Sequence, residues 1–163
     1  MFPGVQGGPH ENLIAAKAVA LKEASWKEFQ IYADTVIKNA QYFSESLLKK
    51  GARIISNGTD NHLFLLDVFE SFWIGWEKAE KILESIGLSV NKNMVPFDTR
   101  KPLDPSGIRI GTPAITTRGM GFSEIEIISE AIVRALRESE NTSLHQDLKV
   151  SLQEMTASFP IYP

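Results

Sequence analysis

Residues 106–119 constrain this chain more than any other segment, because they predict a short strand with an arginine on one face. Ile108 and Ile110 fall on one side of a period-two pattern, whereas Arg109 and a glycine two residues to either side of it fall on the other. These glycines leave that face bare, so a small anion can lie against the backbone and meet the guanidinium. Arginine suits planar, bidentate recognition of a carboxylate. The segment therefore predicts a carboxylate site at Arg109; the alternative is an arginine at a strand end that reaches solvent.

The composition predicts one compact domain with its own core. The chain has 163 residues, of which 43% are hydrophobic, as is ordinary for a globular protein. No apolar run approaches the ~18 residues that span a bilayer, and the glycine-rich start does not resemble a signal peptide. The absence of cysteine excludes disulfides, and the net charge of -3 gives no reason to expect nucleic acid. We expect a cytoplasmic protein that binds neither membranes nor nucleic acid.

Five helices are expected from apolar periodicity and from start and stop signals. In the second helix, six apolar residues step by four and three along one stripe, and Gly51 after two lysines ends it. At the start of the fourth helix, Ser123 with Glu126 predicts a capping box and Phe122 with Ile127 a hydrophobic staple. The helices are expected over about 10–24, 29–50, 76–86, 123–138 and 143–157, and the stripe consists of Phe29, Ala33, Val36, Ala40, Phe43 and Leu47.

Four short strands are expected between these helices. Residues 52–56 precede an Asn-Gly turn, residues 63–68 form a nearly continuous apolar run typical of a central strand, and residues 88–90 and 108–110 complete the set. Helices that alternate with short strands favour an α/β fold in which helices pack on a small sheet.

Three segments carry a resemblance, which their order and spacing strengthen. They are Phe-Pro-Gly-Val-Gln-Gly-Gly-Pro-His at residues 2–10, Gly-Thr-Asp-Asn-His-Leu at residues 58–63, and Asn-Lys-Asn at residues 91–93 leading into residues 106–119. Together they resemble the serine hydroxymethyltransferase family, whose members are pyridoxal-phosphate enzymes of one-carbon metabolism. The resemblance covers essentially the whole chain. It implies a parent protein that interconverts L-serine plus tetrahydrofolate and glycine plus 5,10-methylenetetrahydrofolate.

The resemblance also implies a fold-type-I pyridoxal-phosphate transferase in two parts. Residues 1–50 are expected to be the glycine-rich loop and the helices that end the large domain, and residues 51–163 the C-terminal α/β small domain. The family's Schiff-base lysine lies in a threonine-rich segment ending Thr-His-Lys, just ahead of the Phe-Pro-Gly motif, and no such segment occurs here. No catalytic residue is therefore assigned, and we expect the isolated chain to be inactive. Lys92 lacks that context and is expected to be a solvated loop lysine.

For the amino-acid substrate, the resemblance implies Arg109, which matches the family arginine that grips the α-carboxylate. Arg118 lies on the following segment and either lines the same pocket or makes a surface or structural ion pair. For the cofactor, pyridoxal 5'-phosphate, the resemblance implies Gly7 and Gly8, in a loop that meets the phosphate of the neighbouring subunit. It thereby implies a homodimer. Free N–H groups at a helix start favour a phosphate, and the plain alternative is a flexible loop and helix cap.

For the cosubstrate, tetrahydrofolate, the resemblance implies Asn93, whose amide can both donate and accept at the mixed edge of the pteridine ring. Lys101, Pro102 and Leu103 fall where bacterial-type members line the folate pocket. Here Lys101 replaces a small polar residue and Leu103 replaces an aromatic one. For all four residues, a plain loop role is the alternative.

The remaining residues leave two alternative functions open and indicate no metal site. The three histidines, His10, His62 and His145, have no ligand spacing, so no metal site is expected. His62 enters an apolar strand and is expected to be a hydrogen-bonded packing residue rather than a general base. One alternative function is a non-catalytic association module, which exposure of the apolar stripe on the second helix would favour. The other is a different fold-type-I pyridoxal-phosphate enzyme of small amino acids, which folate dependence would distinguish.

Overall fold

The computed structural model describes residues 4–161 and divides the chain into two compact units. The first unit ends at Asp34 and the second begins at Thr35. The long helix α2, Lys27–Lys49, contributes its first part to one unit and its remainder to the other. The predicted domain boundary at residue 50 concerns the parent protein and stays a prediction. The first two residues of the Phe-Pro-Gly motif lie outside the described residues.

In the first unit, α1 spans Glu11–Ala24, close to the predicted helix. His10 precedes it, and the His10 carbonyl accepts the N–H groups of Leu13 at 3.0 Å and Ile14 at 3.1 Å. Apolar residues occur on all sides of α1, and none of its residues is buried. Within the first unit, the apolar side chains of this helix are therefore left uncovered. Its exposed large side chains are Leu13, Ile14, Val19 and Leu21.

The second unit is built on a four-stranded antiparallel sheet with the strand order β1-β2-β4-β3. Its strands are β1 Arg53–Ile54, β2 Leu63–Asp67, β3 Asn91–Asn93 and β4 Gly107–Gly111. The apolar run that the sequence predicts as a central strand forms β2, and β4, also predicted as a strand, lies beside it in the middle of the sheet. Because successive side chains point to opposite faces, each central strand contributes side chains to both faces of the sheet.

Six helices follow α1 along the described chain, and two of them are short helices that the sequence pattern did not predict. The first short helix, α3, begins because the carboxylate of Asp67 accepts the N–H of Glu70 at 3.0 Å. The second, α5, begins with Pro113, whose fixed φ suits the first helical turn. The helices are α2 Lys27–Lys49, α3 Val68–Phe72, α4 Trp76–Ser85, α5 Pro113–Thr117, α6 Phe122–Arg137 and α7 Thr142–Ala157.

One hydrophobic core joins one face of the sheet to helices α2, α4 and α6. Phe64 of β2 meets Phe43 of α2 edge to face, with ring centroids 5.3 Å apart. Within residues 4–161, no helix has the length and apolar character needed to cross a membrane. The sheet contributes Ile54, Phe64, Leu66, Ile108 and Ile110 to this core, all of them buried.

The apolar stripe of α2 is largely part of this core. Val36, Ala40, Phe43 and Leu47 are buried, whereas Phe29, in the first unit, is 46% exposed. The expectation that an exposed α2 stripe would drive association is therefore wrong for the part of α2 in the second unit.

Two predicted strands and one predicted cap differ from the structure. Residues 52–56 form only the two-residue β1, because Ile55–Asn57 turns into a 3-10 helix with Ser56 at a φ of 63°. The third strand lies at residues 91–93 rather than 88–90. Helix α6 is capped earlier than predicted, since the N–H of Gly121 donates to Oε2 of Glu124 at 2.8 Å. Its predicted staple residue, Phe122, instead stacks on Tyr42, with ring centroids 4.4 Å apart.

Candidate functional site

The central feature of the open sheet face is Arg109. It lies in the middle of β4, opposite Leu65 of β2 and Asn91 of β3. The side chain is exposed, and no group within residues 4–161 forms a hydrogen bond or ion pair with it. Because an unpaired guanidinium keeps its five N–H donors free, Arg109 can hold a carboxylate through two parallel hydrogen bonds.

A pocket of about 440 Å³ opens beside this arginine. Arg109 is the only formally charged residue among those that line it, and several of the others are polar. A small polar pocket with a single unpaired cation suits a small anionic ligand, such as an amino acid held by its carboxylate. The lining residues are His62, Leu63, Ser89, Val90, Asn91, Arg109 and Gly111.

The rim of this pocket is tied to the core through Thr112. Thr112 is fully buried; its N–H donates to the carbonyl of His62 at 3.0 Å and its hydroxyl to the carbonyl of Val36 at 2.8 Å. The backbone of His62 is thereby held, but its side chain is exposed and forms no hydrogen bond within the described chain. The prediction of a hydrogen-bonded packing histidine is therefore wrong, and His62 lines the pocket instead.

The two glycines beside Arg109 play different roles. A Cβ on Gly107 would lie 2.8 Å from the carbonyl oxygen of Asn93 and 2.8 Å from Cγ1 of Val95, so the backbone needs glycine there. A Cβ on Gly111 would meet nothing closer than 3.5 Å. The expectation of a bare face is therefore wrong at Gly107, where a neighbouring strand and loop already fill the space.

A larger pocket, of about 780 Å³, lies beside the loop that follows β1. Its lining includes the acidic residues Glu45 and Asp60 and no arginine or lysine. Carboxylates repel an anionic ligand, so this pocket does not suit a carboxylate despite its size. The pocket at Arg109 is the better candidate.

The second predicted substrate residue, Arg118, lies at the end of α5 and does not line the Arg109 pocket. Its Nη2 donates to the carbonyl of Thr156 at 2.9 Å, near the end of α7. Its Nε is buried and has no hydrogen-bond partner among the described residues. Arg118 thus ties two helix ends together, and its role toward a substrate stays a prediction.

The predicted cofactor loop lies in the first unit. Gly7 and Gly8 are exposed, and a Cβ on either would have no heavy atom within 4 Å. They precede the start of α1, where the N–H groups of Glu11 and Asn12 have no hydrogen bond in the described chain. The donor set and the open space therefore fit a phosphate group.

The predicted folate residue Asn93 shares a face of the sheet with Arg109. It is the last residue of β3, pairs with Gly107, and lies two positions from Asn91, which opposes Arg109. Its Nδ2 donates to the carbonyl of Met94 at 2.7 Å, which leaves its amide oxygen without a hydrogen bond in the described chain. Asn93 and Arg109 are thus brought to one surface.

The other predicted folate residues lie on the loop between β3 and β4. Lys101, Pro102 and Leu103 are all exposed, and Leu103 is 80% exposed. The carbonyl of Leu103 accepts the indole N–H of Trp76 at 3.0 Å, which fastens the loop to α4. A fixed backbone with free side chains is available for contact with a ligand.

Lys92 lies on the opposite face of β3 from Asn91 and Asn93. Its Nζ sits over the ring of Trp76, 4.9 Å from the ring centroid, in a cation–π contact. Lys92 is exposed, as expected, but it lies on a strand rather than in a loop, and its amine points away from the face that carries Arg109.

Sequence reasoning did not place three of the lining residues, His62, Ser89 and Asn91, at the Arg109 pocket. Asn91 pairs with Arg109 in the structure, but the predicted third strand ended at residue 90 and so did not include Asn91. Across residues 4–161, no three histidine, aspartate or glutamate side chains are grouped so that they could hold a metal ion.

Fold and site together define an α/β chain in which an antiparallel sheet presents an exposed arginine, without a bonded partner in the described chain, beside a small polar pocket. The family model described as Serine hydroxymethyltransferase matches residues 1–132. The chain is 48% identical over 161 residues to the serine hydroxymethyltransferase of Rhodopirellula baltica, covering 99% of this chain and 38% of that protein. It is 47% identical over 163 residues to that of Methanospirillum hungatei JF-1, covering 100% and 39%.

The chain belongs to the serine hydroxymethyltransferase family. It spans about two fifths of the length of these two relatives, with 38% and 39% of each covered. Its mixed α/β architecture is consistent with the fold-type-I character of that family.

Proposed function

We propose that this chain is the part of a serine hydroxymethyltransferase that holds the amino-acid carboxylate and the folate. The parent protein would interconvert L-serine plus tetrahydrofolate and glycine plus 5,10-methylenetetrahydrofolate in the cytoplasm. The observation that carries this proposal is the exposed, unpaired Arg109 in a pocket of about 440 Å³, within a chain of this family.

Arg109 would bind the α-carboxylate of serine or glycine through two hydrogen bonds. Two bonds from a planar group fix both the position and the orientation of the ligand, which a lysine cannot do. The buried side chains of Ile108 and Ile110 hold β4 in the core, so the guanidinium starts from a rigid backbone. Arg118 would act from the neighbouring helix α5, as support for this segment or as a second contact.

Gly7 and Gly8 would hold the phosphate of pyridoxal 5'-phosphate in a neighbouring subunit, which makes the parent protein a homodimer. Their backbone N–H groups are accessible and precede the start of α1. When bound, pyridoxal 5'-phosphate supplies an electron sink for bond cleavage at the amino acid. No residue of this chain is proposed to attach the cofactor covalently, and the isolated chain is therefore proposed to be inactive.

Asn93, Lys101, Pro102 and Leu103 would contact tetrahydrofolate. Support comes from the face that Asn93 shares with Arg109 and from its amide oxygen, which accepts no hydrogen bond in the described chain. The exposed side chains of the loop between β3 and β4 supply the further contacts.

The experiment measures glycine formation from serine by the full-length parent protein, with and without tetrahydrofolate. Strict dependence on the folate supports the proposal. Conversion without folate would identify a different fold-type-I enzyme. The 163-residue chain assayed alone should show no serine turnover, and turnover by that chain would contradict the inactive-fragment proposal.

The exposed apolar side chains of α1 favour association as a second property of the isolated chain. Leu13 and Leu21, at 53% and 72% exposure, represent this surface. The isolated chain should therefore form assemblies in light scattering and bind an apolar dye. A monomer that binds no dye would argue against an association module.

A further inference from the structure

The loop of residues 94–106, between β3 and β4, closes around one carboxylate. Asp98 lies in its first half and accepts four hydrogen bonds. Its Oδ2 accepts the N–H of Val95 at 3.3 Å and of Ser106 at 2.9 Å. Its Oδ1 accepts the N–H of Arg100 at 3.0 Å and the hydroxyl of Ser106 at 2.8 Å. A single side chain therefore joins the beginning, middle and end of the loop.

Ser106 anchors this arrangement to the core. It is buried, and its carbonyl accepts the N–H of Val68 at 3.0 Å and of Phe69 at 3.2 Å, at the start of α3. Ser106 also leads directly into β4, whose first residue, Gly107, pairs with β2 and β3. Asp98 is thus bonded to a point that the fold already fixes.

Arg100 connects Asp98 to the loop segment that carries the proposed folate residues. The Arg100 guanidinium donates to the carboxylate of Asp104, and its Nε donates to the Asp104 carbonyl at 3.1 Å. The guanidinium also lies over the ring of Phe69, 4.6 Å from its centroid. The N–H of Asp104 then donates to the carbonyl of Lys101 at 2.8 Å, which closes the turn over residues 101–104.

The backbone next to Asp98 shows that the loop shape is imposed. Phe97 has a φ of 60°, in the left-handed region that a bulky residue rarely adopts. Its side chain is fully exposed, with a relative accessibility of 101%, so packing of the ring does not stabilise this conformation. The conformation is held by a backbone bond from the N–H of Asp98 to the carbonyl of Val95 at 3.0 Å, together with the four bonds that the Asp98 carboxylate accepts.

We propose that Asp98 is a positioning residue that presets this loop in the shape in which Asn93 and residues 101–103 meet the folate. The proposal rests on the proposed function for its ligand. Asp98 need not touch the folate, since it acts by holding the loop that carries residues 101–103, whereas Asn93 is held by its pairing in β3. Because the loop is ordered before the ligand arrives, less ordering accompanies binding.

The experiment compares Asp98→Asn, Asp98→Ala and Asp147→Asn in the full-length, cofactor-loaded protein. The asparagine keeps one acceptor oxygen but places an amide donor against at least one backbone N–H, and the alanine removes all four bonds. Asp147 is exposed on α7 and has no hydrogen bond from its side chain in the described chain, so it is the matched control. Hydrogen exchange over residues 94–106 is measured without folate, and KM is measured for tetrahydrofolate and for serine.

Exchange in the loop and KM for tetrahydrofolate should both rise about tenfold or more in Asp98→Ala, and by less in Asp98→Asn, with serine KM unchanged. Loop exchange like that of the wild type would overturn the proposal, as would faster exchange with an unchanged folate KM. An equal rise in both KM values would show a general structural role and would also overturn it. If Asp98→Ala does not fold, Asp98→Asn decides between the same outcomes. If serine conversion by the wild-type protein does not depend on folate, the proposed function itself is rejected. This outcome is distinct from failure of the Asp98 proposal, because it is measured without any variant.

Discussion

The two faces of the four-stranded sheet are made by the same strands but have opposite characters. On one face, Ile108 and Ile110 of β4 are buried against helices. On the other, Arg109 is exposed beside a pocket, without a bonded partner among the described residues. Neighbouring residues of β4 thus alternate between the buried core and the exposed face. Substitution of the buried isoleucines should cost more stability than substitution of Arg109, which should instead change ligand affinity.

The largest effect is expected on the buried face. Ile108→Ala should lower the free energy of unfolding by about 2–5 kcal/mol, because Ile108 is fully buried and the change leaves a cavity. Leu65→Ala, at a half-buried position opposite Arg109, should cost about 1 kcal/mol. Urea denaturation measures both. Equal costs for the two variants would remove the distinction between the faces.

The next largest effect on stability is expected at one of the two glycines of β4 and not at the other. Gly107→Ala should destabilise the chain by about 1–3 kcal/mol, because its Cβ would clash with the carbonyl of Asn93 and the side chain of Val95. Gly111→Ala, where the nearest atom is 3.5 Å from the added Cβ, should stay within about 0.5 kcal/mol of the wild type. Urea denaturation of this matched pair provides the comparison. A harmless Gly107→Ala would show that the loop is not packed as described.

A smaller effect on stability is expected from Asp98, whose hydrogen bonds hold the loop of residues 94–106. Burial raises the pKa of Asp98, but hydrogen bonds from Ser106, Arg100 and Val95 outweigh it and lower the pKa below its usual 3.8. Between the lower pKa of Asp98 in the folded chain and its ordinary pKa in the unfolded chain, the unfolded state therefore binds more protons. The contribution of Asp98 to the free energy of unfolding is fully present above the unfolded-state pKa and is lost as pH falls through the folded-state pKa.

The difference in unfolding free energy between wild type and Asp98→Asn should therefore be larger near about pH 6 than near about pH 3. Ile108→Ala, which removes only apolar contacts, is the control and should show the same cost at both pH values. A difference for Asp98→Asn that does not depend on pH would contradict the lowered pKa.

The smallest effect on stability is expected at Arg109 itself. Arg109→Lys should change the free energy of unfolding by no more than about 0.5 kcal/mol, because the side chain is exposed and unpaired in the described chain. Thermal unfolding measures this. A large loss of stability would mean that Arg109 supports the fold rather than a ligand.

The sequence predicted those parts of the fold that depend on local patterns. The central strands, the buried stripe from Val36 to Leu47 and the long helices follow from apolar periodicity, and the structure confirms them. The short helices α3 and α5 were missed, because five-residue segments carry too little periodicity to be seen.

For the candidate site, the sequence predicted the face on which Arg109 lies but not the packing around it. Period-two alternation placed Arg109 on an open face, but it could not show that Val95 and the backbone of Asn93 fill the space beside Gly107. His62 was misjudged because an apolar sequence context does not show that a strand end is exposed. Contacts between segments distant in sequence depend on the tertiary fold and cannot be read from local pattern.

The most direct test of the carboxylate site is the KM for serine of Arg109→Lys in the full-length protein, with Arg134→Lys as the control. Arg134 is exposed on α6, and its side chain has no bonded partner in the described chain. Loss of the bidentate contact should raise the serine KM about 10- to 100-fold in Arg109→Lys and leave it unchanged in Arg134→Lys. A wild-type serine KM in Arg109→Lys would contradict the assignment of Arg109 as the carboxylate site.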